Sequence, residues 1–285
     1  MRRIRHLLTR RSARRTERAF VAEGTEVVRT GIISGAVPES VYVAAGALKG
    51  ATVAGAESET GDVGAAATVG DAASAGAVAE VVRLALAAGA RVHELAPGVI
   101  ERVASTVTPQ PLLAVFPMLD VPEVPAGAEL VVVMAGVRDP GNAGTVLRSA
   151  DAAGVGAVVV CAGAVDPYNP KTVRASAGSL FHVPVVLGDE PASVLARLGE
   201  SGYRRLGAVV RGGEDYAEVD WTVATAIVLG NEAWGLPEGL ELGGLGLDGL
   251  VGIPMAGRAE SLNVGMASAV LCFEALRQRR STMPR

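Results

Sequence analysis

Between residues 129 and 255 the sequence returns repeatedly to short apolar runs, ELVVVMAG, GAVVVCAG, HVPVVLG, RRLGAVV, TAIVLG and GLVGIPM. Most of these runs do not alternate with polar residues, so both faces of each strand must be covered. Strands of that kind belong to a mainly parallel sheet with helices on both sides. The intervening segments can supply the helices. AGTVLRSADAAG reads as one, with Asn142 as its N-cap and Gly154 as its stop. Two more are expected near 170–178 and 190–200, and a final apolar helix from Asn263 to Arg279. The fold class is therefore α/β for this half.

The first half is a smaller α/β unit by the same reasoning. A helix is expected in AEGTEVVRTGIISG, a strand in SVYVAAG, a helix over Val78–Ala88, a strand at Val92, a helix in PGVIERVAST and a strand in PLLAVF. Residues 44–80 are rich in Ala, Gly and Val, and the reading there is short strands and small helices, with nothing distinctive in 50–76. PMLDVPEVPAGAE, rich in proline and poor in apolar residues, reads as a linker. The expected division is 1–120, a linker at 121–128, and 129–285.

Composition narrows the function classes. Apolar residues make up 49% of the chain, enough for a substantial core, yet no run of about 18 uncharged apolar residues exists to span a membrane. The N-terminus has a signal peptide's charge without an apolar stretch behind it. Cys161 and Cys272 lie in apolar runs, and His6, His93 and His182 are scattered, so neither a disulfide framework nor a metal site is expected. A cytoplasmic protein follows. The net charge of −4 conceals a basic terminus. Arg2, Arg3, Arg5, Arg10, Arg11, Arg14, Arg15 and Arg18 face a single acid, Glu17, within residues 1–18. Forked guanidinium donors suit phosphate; the other reading is a solvated, partly disordered arm.

An α/β sheet binds ligands at the carboxyl ends of its strands. A Walker loop is absent, because Lys49 and Lys171 are the only lysines and neither follows glycine. A literal G-x-G-x-x-G spans Gly244 to Gly249, but it precedes a strand and opens no helix, so it reads as accidental. Three other strand ends carry polar loops in order: VRDPGNAGTVLR, IVLGNEAWGLP and IPMAGRAESLN. Each alone is an ordinary turn or cap. Together they give Asn142-x-Gly144-x-x-x-Arg148, Gly230-x-Glu232-x-x-Gly235, and Ile253-Pro254-Met255 followed by Ser261-Leu262-Asn263.

In these motifs the second half resembles the SpoU (TrmH-type) branch of the SPOUT RNA methyltransferases. VAEGTEVVRTGIISGAVPESVYV and VIERVASTVTPQPLLAVF resemble the ribosomal-protein-like substrate-binding domain fused to such enzymes. The resemblance implies a trefoil knot, a homodimer through the C-terminal domain, and S-adenosylmethionine as cofactor. It implies 2′-O-methylation of structured RNA, with 23S ribosomal RNA favoured. A transfer RNA substrate, or a non-catalytic RNA-binding ribosome-assembly factor, are the alternatives. It also implies a cofactor pocket at Leu229, Gly230, Asn231, Gly235, Ile253, Met255 and Leu262, where core packing is the other role open to Met255 and Leu262. Arg148, Asn142, Glu232, Ser261 and Asn263 are the implied catalytic set. Guanidinium stays protonated, so Arg148 is expected to hold phosphate and steady the developing alkoxide rather than act as base. Glu232 either orients Arg148 or Asn142 or pins its own loop. Ser261 either caps the last helix or also touches substrate.

Overall fold

The arginine-rich terminus folds. In the computed structural model, which describes residues 1–46, 69–104, 110–240 and 246–282, it forms α1 (Arg2–Thr9) and α2 (Arg11–Glu17). Ile4, Leu7 and Leu8 recur at helical spacing and are buried against Val21, Leu113 and Val115. This corrects the alternative of a partly disordered arm: three apolar side chains among the arginines suffice to dock the helix. The arginines then divide. Arg14 is buried and its Nη1 donates to the Leu7 carbonyl at 2.6 Å. Arg3 is held between Glu17 (2.6 Å) and Glu39 (2.7 Å), and the two carboxylates push its pKa further up. Arg2, Arg5, Arg10, Arg15 and Arg18 are exposed, and Arg11 is half-buried.

The remainder of this unit (Met1–Met118 with Tyr168–Pro170) comprises β1 (Ala19–Glu23), α3 (Thr25–Ile33), β2 (Ser40–Val43), α4 (Val69–Ala87), β3 (Arg91–Glu94), α5 (Val99–Val103) and β4 (Leu112–Pro117). The sheet order is β1-β4-β2-β3; β4 runs antiparallel to β1 and β2, and β3 parallel to β2. Strand β1 overlaps the helix expected to begin at Ala22. Every residue of AFVAE is buried and paired with β4, and Gly24, at φ +103°, turns the chain before the helix can start. The short strands expected within 44–80 fall largely on residues 47–68, outside the described residues; from Val69 the chain is helical.

The second unit, Leu119–Pro167 with Lys171–Arg285, is built on a parallel sheet. Its strands are β5 (Leu130–Met134), β6 (Ala157–Val160), β7 (Val185–Leu187), β8 (Arg204–Val209), β9 (Glu214–Asp215), β10 (Thr225–Leu229) and β11 (Gly249–Gly252), in the order β7-β6-β5-β10-β8-β11-β9. Each neighbouring pair is parallel. The helices are α6 (Pro140–Ala152), α7 (Pro170–Ala175), α8 (Pro191–Glu200) and α9 (Val264–Thr282). LVVVM, AVVV and TAIVL are buried at every position, as strands covered on both faces must be. From β5 the chain first builds outward through β6 and β7, then returns to pair β10 on the other side of β5. In such sheets ligands bind at the carboxyl ends of the strands. Residues 121–128 lie on this unit: the Val121 N–H donates to Val185 (2.8 Å), and Val121, Val124 and Ala128 pack on its core. Gly244 and Leu245 fall outside the described residues.

Helix α9 is tied down at its far end. Gln278 accepts from the Trp221 N–H (2.9 Å) and donates to Val219 (3.0 Å). Arg279 donates to the carbonyls of Trp221 (2.8 Å), Glu129 and Val223 (3.0 Å each). The Trp221 ring is wholly buried, with its Nε1 on the Tyr216 carbonyl at 2.8 Å.

Candidate active site

Three loops meet at the carboxyl ends of β5, β10 and β11. The loop after β10 is a tight turn: Asn231 and Gly235 exchange backbone hydrogen bonds (2.6 and 3.0 Å), and Gly235 takes φ +74°. The Asn231 Oδ1 accepts from the N–H groups of Ala233 (2.9 Å) and Trp234 (3.1 Å). Gly230 is a requirement of this turn. A Cβ there would stand 2.3 Å from the carbonyl carbon and oxygen of Gly235 and 2.5 Å from the Leu236 nitrogen, all of them backbone atoms. Gly144 plays a packing part in α6, since its Cβ would meet that of Ala175 at 2.3 Å.

The loops are joined by a directed chain of side-chain amides. Asn142 Nδ2 donates to Glu232 Oε1 (2.8 Å), and Asn263 Nδ2 donates to Asn142 Oδ1 (2.8 Å). Asn263 Oδ1 in turn accepts from the Gly265 N–H (2.9 Å). The ends fix both amide orientations: a carboxylate only accepts and an N–H only donates, so each asparagine has one consistent setting. Glu232 also accepts from the backbone N–H groups of Asp139 (3.3 Å) and Arg138 (3.4 Å) and from Asn231 Nδ2 (3.4 Å). Burial pushes the Glu232 pKa up. The Asn142 amide and the backbone N–H groups outweigh that and hold it below the ordinary carboxylate value.

Beside this chain lies a cavity of about 550 Å³. The residues expected to hold a cofactor, Leu229, Gly230, Asn231, Gly235, Ile253, Met255 and Leu262, all line it. Met255 and Leu262 are half-buried at its wall, rather than sealed in the core. Of the residues expected to be catalytic, Asn142, Glu232, Ser261 and Asn263 line it; Arg148 does not, and stands exposed on α6.

Three local readings change. Asn142 is not the N-cap of α6: Asp139 is, its Oδ1 accepting from the Asn142 N–H at 2.8 Å with Pro140 opening the helix. The Asn142 side chain is thereby released toward Glu232. Ser261 does not cap α9, because Asn263 stands at that end and accepts from Gly265. Ile253-Pro254-Met255 follows β11 instead of ending it, since pairing stops at Gly252. Sequence reasoning missed Ala208–Val210, where the chain leaves β8, and Trp234, both on the cavity wall. Nothing in an apolar strand end announced the first; the second was an aromatic residue inside a polar turn.

The sequence profile of the SpoU rRNA Methylase family matches residues 129–273, and that of the MRM3-like substrate binding domain matches residues 1–114. The 23S rRNA (guanosine(2553)-2'-O)-methyltransferase RlmP of Bacillus subtilis is 38% identical over 189 residues, which are 66% of this chain and 73% of that protein. The 23S rRNA (guanosine-2'-O-)-methyltransferase RlmB of Xanthomonas axonopodis pv. citri is 41% identical over 157 residues, 55% of this chain and 62% of that one. Among solved structures, the SpoU methyltransferase AviRb from Streptomyces viridochromogenes, in complex with AdoMet, superposes with a TM-score of 0.76 at 26% identity over 98% of each chain. An AdoMet-bound rRNA methyltransferase from Sinorhizobium meliloti gives a TM-score of 0.75 at 27% identity, covering 99% of this chain and 95% of that one.

Proposed function

The chain belongs to the SpoU rRNA Methylase family, and from that premise we propose that it methylates the 2′-hydroxyl of a ribose in 23S ribosomal RNA, using S-adenosylmethionine. The observation that carries this reading is the cavity at the carboxyl ends of the strands, with the amide chain Glu232–Asn142–Asn263 along its wall. Its size falls within the ~300–1,000 Å³ of small-molecule sites, and its mixture of apolar wall and polar loop suits a nucleoside with a charged tail. When bound, S-adenosylmethionine supplies an already activated sulfonium methyl, so orientation of the ribose oxygen supplies much of the rate. Asn142 and Asn263 are the positioning residues, and Ser261 stands at the wall beside them. Glu232 serves as their anchor. Its depressed pKa and occupied lone pairs make it a poor base. Arg148, exposed and away from the wall, fits a phosphate contact of the RNA. Residues 129–285 are assigned to transfer, residues 1–120 to RNA capture, and the site of action to the cytoplasm.

Calorimetry with S-adenosylmethionine and tritium transfer to transcribed 23S ribosomal RNA test this together. Binding and transfer are expected; a protein that does neither refutes the reading, and transfer to transfer RNA alone moves the substrate.

Capture is assigned to the exposed arginines Arg2, Arg5, Arg10 and Arg15. Deleting residues 1–18 would strip Ile4, Leu7 and Leu8 from the core, so substitution is the cleaner probe. Replacing the four by glutamine should weaken RNA binding and lower the slope of log K against log salt by about 3–4, at roughly 0.9 per phosphate contact on duplex. An unchanged slope would place RNA contact elsewhere. Arg14→Ala should act on stability instead, by about 1–3 kcal/mol, because it leaves the buried Leu7 carbonyl unpaired.

A homodimer is proposed through α9. Leu271 and Ala275 are buried within the chain, while Met266 (59% exposed) and Phe273 (47% exposed) sit seven residues apart on one face. Light scattering at micromolar concentration should give twice the chain mass, and Phe273→Glu should halve it. A monomeric parent protein would refute the assignment.

A further inference from the structure

Trp234 stands out against the other tryptophan. Trp221 is wholly buried, whereas Trp234 is 83% exposed while lining the cavity. Its backbone is fixed in the turn: its N–H is held by Asn231, and the next residue, Gly235, pairs back to Asn231. An indole left mostly in water on a rigid turn forgoes the gain that burial would give. The remaining wall residues divide by depth. Leu229 and Leu271 are sealed, Ile253, Met255 and Leu262 are half-buried, and Trp234 is at the rim. The same turn carries Glu232, which anchors the amide chain.

We propose that Trp234 is a stacking platform for a nucleobase of the RNA whose ribose enters the cavity. This rests on the methyltransferase reading above. A ribose oxygen can meet a methyl donor held in the cavity only if its nucleotide comes to the rim. Single-stranded or splayed-out bases are commonly received on aromatic side chains. The turn presents the ring without a backbone-ordering step. Stacking tolerates any base, so Trp234 contributes affinity and register, and the choice of nucleotide lies with other contacts.

The test compares Trp234→Ala and Trp234→Phe with the parent protein, using transcribed, unmodified 23S ribosomal RNA. Trp234→Ala should raise the KM for RNA by about 5- to 150-fold, the range of base–aromatic stacking, while the Kd for S-adenosylmethionine stays within about twofold. Trp234→Phe should recover most of the loss. Emission assigned to Trp234 by difference from Trp234→Phe should be quenched when RNA is added to the cofactor-saturated protein. An RNA KM unchanged in Trp234→Ala overturns the proposal. So does a cofactor Kd that rises in step, which would make the ring a cofactor wall, or a loss of dimer mass, which would make it a contact between copies. If the parent protein neither binds S-adenosylmethionine nor methylates the RNA, the underlying reading falls with it; if the parent works and Trp234→Ala equals it, the stacking role alone falls.

Discussion

Gly230→Ala is expected to cost roughly 5- to 150-fold in S-adenosylmethionine affinity, the equivalent of about 1–3 kcal/mol of forced overpacking. The added methyl does not merely occupy cavity space. It lands 2.3 Å from the Gly235 carbonyl, on backbone that cannot swing aside as a side chain would. Relief requires the Asn231–Gly235 pair to open, and with it the turn that supplies Asn231, Glu232 and Trp234. Gly230→Val should be worse. The defect should be local, because Gly230 follows β10 and leaves its pairing with β5 and β8 intact. Calorimetry on protein with an unchanged circular dichroism spectrum is the measurement, and parent-like affinity in folded Gly230→Ala would refute the placement of the cofactor.

Asn142→Asp should remove turnover nearly completely at neutral pH, by about 100-fold or more, the scale of a displacement of about 1 Å in a reacting group. The change is nearly isosteric but replaces a donor by a charge at the 2.8 Å contact with Glu232. Two carboxylates at that distance cannot both stay ionised, so one pKa rises sharply. The pH profiles should then move in opposite directions. In the parent protein the folded pKa of Glu232 is depressed, so the stabilisation it gives is complete above the unfolded pKa. It is lost only as pH falls through the lower, folded value. The variant should instead recover part of its rate on mild acidification, as the pair takes up a shared proton. Asn142→Ala, which adds no charge, should show no such recovery. Rate against pH for the three proteins decides it, and a variant whose rate only declines toward acid would show that Asn142 and Glu232 do not meet in the working enzyme.

The parallel sheet was legible because LVVVM, AVVV and TAIVL have no polar side to turn outward. The cavity was legible because Gly, Asn, Glu and Ser recur at three strand ends in a known order. What stayed hidden depended on contacts distant in sequence. Asn142 has the chemistry of an N-cap, but Asp139 competes for that place and Pro140 fixes the helix start behind it; only the fold brings Glu232, ninety residues on, to its amide. Strand β1 was missed because AFVAE continues into a helix-like sequence and its partner, β4, lies far along the chain. The eight arginines look alike in sequence. Only the fold shows that Arg14 is buried on the Leu7 carbonyl and that Arg3 is held between two acids.

Asn263 and Gln278 stand at opposite ends of one uninterrupted helix, α9, fifteen residues and about 22 Å apart at 1.5 Å per residue. One end reaches Asn142 and the cavity; the other is clamped by Trp221, Glu129 and Val223. A stiff rod held at both ends passes a displacement of one anchor on to the other. A tilt of about 3° at Gln278 swings Asn263 by roughly 1 Å, the scale at which a reacting group is misplaced. The precision of the site is therefore set in part at its remote anchor, and a substitution around Trp221 can present as a kinetic fault while every residue at the cavity is unaltered.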